Sequence, residues 1–140
     1  MTVMEPGELL EKSMKFIVES AKSVEQATSD LQAAVKRNGF GVLHVYDLKQ
    51  TLKEKGAPIE NECRILEVCN PQKARDVLSE DMSMNMALPC RVSVYEQDGR
   101  TQIGLLSPKA MLAMLSDSPQ LAALADEVET AMKKMIDEAK

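Results

Sequence analysis

Two cysteines of this chain stand in proline-containing clusters, Cys69-Asn70-Pro71 and Leu88-Pro89-Cys90-Arg91. Where a strand hands over to a helix, the unpaired amides of the first helical turn favour an anion. A cysteine there can be held as a thiolate, and a thiolate is either a nucleophile or a soft-metal ligand. Pro71 opens a helix just after Cys69, with Asn70 as its cap, and the hairpin described below sets Cys90 beside Ser107, where another helix starts. Both sulfurs are therefore expected near helix N-termini and near each other, as a thiol-centred ligand, redox or soft-metal site. The alternative is two small apolar residues of the core, since free cysteine is among the most buried side chains. Cys63 has no such setting and reads as a passenger.

The single histidine, His44, falls within a strand beside Val42 and Tyr46. Strict alternation puts Leu43 and Val45 on one face, and Phe40, Val42, His44 and Tyr46 on the other. If helices cover the first face, the second becomes a pocket or a partner surface, and His44 and Tyr46 join the candidate site residues. Asp47 is explained as a helix cap. Met82, Met84 and Met86 alternate a few residues before Cys90. Thioethers at that spacing can present soft sulfurs to Cu(I), with Cys69 and Cys90 completing the set. Against this stands methionine as adaptable core filler, in a chain with 10 of them. No phosphate-cradling glycine loop, CxxC pair, His/Glu zinc spacing or nucleophile elbow is present, so no catalytic residue is assigned.

The elements that must position these residues follow from pattern. Lys15 to Glu19 reads as a first strand, and Ser23 with Gln26 as a capping box, followed by apolar residues at helical spacing up to Gly39. Phe40 to Tyr46 is a second strand, a short helix follows Asp47 and ends at Gly56, and Arg64 to Val68 is a third strand. Asn70-Pro71, Ser107-Pro108 and Ser118-Pro119 each start a helix, because a proline at the first helical position forfeits only an N–H that would be unpaired anyway. Between the first two lies a hairpin around Asp98-Gly99, whose two-residue turn sets Val94 against Ile103, Val92 against Leu105 and Cys90 against Ser107. The last helix, from Pro119 to about Ala139, carries Leu121, Leu124, Val128, Met132, Met135 and Ile136 on one face. Residues 1–14 read as an acidic lead-in and 15–140 as a single α+β domain. A small mixed or antiparallel sheet is expected, with helices mainly on one face.

Composition narrows the classes of function. At 140 residues the chain is long enough for one buried core, and 28% charged with 44% hydrophobic residues is ordinary for a soluble protein. A net charge of -5 argues against nucleic acid and anionic membranes as partners, and two Phe, two Tyr and no Trp leave few stacking platforms for single strands. No signal peptide or membrane-length apolar run is visible, and three cysteines fit free thiols in the cytoplasm.

The order of Phe40 to Asp47, Leu52 to Gly56, Glu67 to Pro71, Leu88 to Val92, Val94 to Glu96 and Ser107-Pro108 resembles the domain-of-unknown-function family 302, over about residues 15 to 138. That resemblance implies a TBP-like α+β domain found as a homodimer, and it carries over no enzymatic activity. The expected function is an uncharacterised cytoplasmic homodimer with a thiol-centred site at Cys69 and Cys90. The alternative is a non-catalytic dimeric binding module with a small-molecule or structural role.

Overall fold

Each helix begins at a side chain that takes up one of its free amides. The computed structural model describes residues 14–140, so the expected lead-in, apart from Met14, lies outside the described residues. Ser23 caps α1 (Val24–Arg37) by accepting from the Gln26 amide, and Asp47 caps α2 (Leu48–Glu54) by accepting from the Gln50 amide. Asn70, Ser107 and Ser118 cap α3 (Pro71–Glu80), α4 (Pro108–Leu115) and α5 (Pro119–Ala139) in the same way, each with proline opening the helix. Gly39 and Gly56 follow the first two helices at φ +78 and +80, in the left-handed region that glycine enters freely.

Strands β1 (Lys15–Ser20), β2 (Gly41–Asp47), β3 (Cys63–Cys69), β4 (Cys90–Gln97) and β5 (Arg100–Leu106) form one sheet in the order β1-β5-β4-β3-β2. Every neighbouring pair is antiparallel, which narrows the expected mixed or antiparallel sheet to the second kind. Asp98 and Gly99 both carry positive φ, 55 and 74, as a two-residue hairpin turn requires. Val92 accordingly faces Leu105, and Val94 faces Ile103.

The helices that build the core lie on one face. α1 packs on β2, β3, β4 and α5, and α3 and α4 pack on α5 in turn. Leu66, Val68, Val92, Val94, Ile103 and Leu105 of the sheet meet Leu31 and Val35 of α1 and Met132, Met135 and Ile136 of α5 in the main core. A smaller core joins Val77, Met84, Leu112, Leu121 and Ala125. No helix among the described residues is long and apolar enough to cross a membrane.

Two local features depart from the pattern. In β2, Val42 pairs with Val68 but His44 pairs with Glu67, so Leu43 and His44 together oppose one residue. This β-bulge reverses the alternation. Val42 and Val45 both pack against the core, Phe40 is part of it, and Leu43 is 63% exposed. Phe40, Val42, His44 and Tyr46 therefore do not share a face; only His44 and Tyr46 lie on the helix-free side. The second departure is at residues 82–87, which form a 3-10 helix (Met82–Ala87) capped by Asp81. Met84 is 3% exposed in the smaller core, whereas Met82 and Met86 are 66% and 79% exposed. The three thioethers do not form one array, because i and i+2 point apart when three residues complete a turn.

Candidate functional site: a cysteine cleft and a helix-free sheet face

β3 delivers Cys69 to the start of α3, and Val68 beside it pairs with Cys90 at the start of β4. The Asn70 side chain accepts from the Lys73 amide at 3.1 Å, so its cap role is satisfied within the helix. Cys69, Asn70, Leu88, Pro89 and Cys90 line one apolar cleft with Ala125 and Val128 of α5. Both cysteines therefore border the same cleft. The cleft is narrow, about 30 Å³, which holds one or two waters and no metabolite. Lys73, at its edge, is ion-paired with Glu127.

Electrostatics correct the thiolate reading. Burial pushes the Cys69 thiol up, and burial followed by the nearby Cys69 pushes Cys90 up to about 11. Loss of hydration outweighs what the helix start offers an anion, so both groups rest as thiols at neutral pH. All three cysteines are free. Cys90 also borders an outer hollow of about 270 Å³ with Met86 and Met111, while Met82 and Met84 line neither space. Met111 escaped the sequence reading because its link to Cys90 is made by the packing of α4, with no spacing signal.

The helix-free face carries the other candidates. The strand register sets Lys15, Leu106, Arg91, Glu67 and His44 in one row across the sheet, and Ile17, Gly104, Ser93, Ile65 and Tyr46 in the next. The rings of His44 and Tyr46 meet edge to face. The Tyr46 hydroxyl engages the Glu67 carboxylate, which raises the phenol above its ordinary range. A trough of about 390 Å³ runs past Ile17, Ile65, Arg91, Ser93, Tyr95 and Leu106. Sequence reasoning missed it, although the alternation of β4 already sorted Arg91, Ser93 and Tyr95 onto one side.

Comparison with known proteins agrees with this architecture. The family model described as "Domain of unknown function DUF302" matches residues 16–139. A similar solved structure is that of an uncharacterized conserved DUF302 protein from Bacillus stearothermophilus. It is 31% identical with a TM-score of 0.86, covering 91% of this chain and 98% of that one. No curated protein matches. With nearly the whole length matched in sequence and in fold, this chain belongs to the DUF302 family, whose function is unknown.

Proposed function

We propose that the protein acts through Cys69 and Cys90 as a dithiol binding site rather than as an enzyme with a standing thiolate. The observation that supports this is that both cysteines line one cleft, where each thiol is held protonated by burial. Neutral, apolar-shielded thiols are weak nucleophiles, yet they remain soft ligands once a metal displaces their protons. For monovalent copper the step is Cu⁺ plus two thiols giving a bis-thiolate complex and two released protons. Among the described residues no group of three or more His, Cys, Asp or Glu is arranged around a metal position. Tetrahedral zinc would therefore lack ligands, whereas Cu(I) accepts two sulfurs, with Met86 in reach of the Cys90 side. The same pair can be oxidised by a small disulfide such as oxidised glutathione, forming Cys69–Cys90 and passing both hydrogens to the two thiols released.

The test is native mass spectrometry of anaerobically purified protein, before and after Cu(I) addition and after oxidised glutathione, with Cys69→Ser alongside. One copper per chain, or loss of two hydrogens, that is absent from the variant supports the dithiol site. The burial of Cys90 favours a second reading, a non-catalytic binding module whose cysteines are core residues. Protein that takes up neither copper nor oxidant selects it. The same spectra read whether the chain forms the homodimer that its family resemblance implies.

A further inference from the structure

We infer that the trough on the helix-free sheet face is a binding site for a small amphipathic anion, a carboxylate carrying an aliphatic or aromatic body. This goes beyond the dithiol reading and does not depend on it. At about 390 Å³ the trough falls within the roughly 300–1,000 Å³ typical of small-molecule pockets, unlike the cysteine cleft. Ile17, Ile65 and Leu106 supply apolar walls, and Ser93 and Tyr95 supply hydroxyls. Ile17 and Leu106 are 46% and 51% exposed, which is costly surface for a sheet to leave to water.

Gly104 lines the floor of the trough, and a Cβ there would meet Ile17 Cγ1 and Tyr95 Cε1 at 3.6 Å, so these two side chains already close over it. The residue that argues for a charged ligand is Arg91. It pairs across the strands with Glu67, but Glu67 engages Tyr46, and Arg91 forms no ion pair with any described residue. A guanidinium at the end of an apolar trough has five donors that suit a carboxylate. In a chain of net charge -5 it is a local basic point, not part of a general attraction for anions.

Octanoate is the probe, with 1-octanol as its uncharged counterpart, measured by isothermal titration and ligand-observed NMR on the full chain. We expect one octanoate per chain, weaker binding of octanol, a loss of about tenfold or more in Arg91→Gln, and abolished binding in Gly104→Val. Arg91 is exposed, so its variant reports even if Gly104→Val folds poorly. No binding at millimolar octanoate, equal binding of octanol, or binding unchanged in Arg91→Gln overturns the inference. Self-association that buries this face and does not respond to octanoate also overturns it, and assigns the face to a second copy of the chain.

Discussion

The rings of His44 and Tyr46 stand 4.2 Å apart, centre to centre, at an interplanar angle of 73°. They are neighbours on the helix-free side because the extra residue at Leu43 has already been absorbed by the bulge, leaving Val45 to turn inward. The outward position of Leu43 and the inward position of Val45 can be told apart by truncation. Leu43→Ser should change stability by no more than about 0.5 kcal/mol, while Val45→Ser should cost about 1–2 kcal/mol in urea denaturation. Equal costs would mean that the two residues share a face and that no bulge is present.

Tyr46 offers a spectroscopic handle on the same corner. Its contact with Glu67 places a phenolate next to a carboxylate, so the phenol ionises above the ordinary 10.0 despite the opposing influence of Arg91. The chain has two tyrosines, and Tyr95→Phe leaves Tyr46 as the sole ultraviolet titration signal. In that background Glu67→Gln should lower the midpoint towards the ordinary value. Arg91→Gln should raise it further. A midpoint indifferent to Glu67 would remove the contact.

Cys90 should make the protein sensitive to alkali. Its folded thiol is raised from 9.0 to about 11, so the unfolded chain loses its proton first as pH rises. The stability linked to Cys90 is thus complete below pH 9 and is lost between about 9 and 11, amounting to roughly 2–3 kcal/mol at the upper end. Urea denaturation under reducing conditions, compared with Cys90→Ala across this range, cancels contributions from other titrating groups. The two curves should converge with rising pH. Parallel curves would show that Cys90 ionises as freely in the folded protein as in the unfolded one.

Much of the fold could be read from local chemistry. The five helix caps, the three cap-proline starts and the Asp98-Gly99 turn are each decided by a few adjacent residues and form as expected, except that the Gln26 side chain bonds Asp30 and leaves the expected capping box half made. The hairpin register then located Cys90, and the strand-to-helix junction located Cys69. What local pattern could not supply was parity and solvation. A bulge in β2 is imposed by pairing with β3, and the methionines between Asp81 and Leu88 curl because Met84 is drawn into a core built by α3, α4 and α5. The protonation of the thiols likewise depends on how completely neighbouring elements exclude water, which no spacing reveals.

The methionine segment can be tested without any metal. Met84→Ala removes a buried side chain from the smaller core and should cost about 2–5 kcal/mol, with Met82→Ala and Met86→Ala each within about 0.5 kcal/mol. Thermal denaturation of the three variants gives the ranking. Comparable losses in all three would restore an extended, alternating segment.

Ser107 does more than start a helix. Its hydroxyl accepts from the Ala110 amide as the cap of α4, and it donates to the Glu129 carboxylate of α5, tying the two helices together. Burial alone would raise the Glu129 carboxyl, but the Ser107 hydroxyl, the Lys109 amide and the Lys133 ammonium together hold it below its ordinary value. A depressed carboxylate contributes stability that is present above its unfolded value of 4.5 and is lost as pH falls through the lower folded value. Wild-type stability should therefore fall in acid more steeply than that of Glu129→Gln, which has no carboxylate to protonate. Ser107→Ala removes the cap and the inter-helix bond at once, and should cost about 1–2 kcal/mol at neutral pH. It should also shallow the acid slope, because Glu129 then loses the first of the groups that depress it. If Ser107→Ala lowers stability while leaving the acid slope intact, the hydroxyl caps α4 but does not hold Glu129.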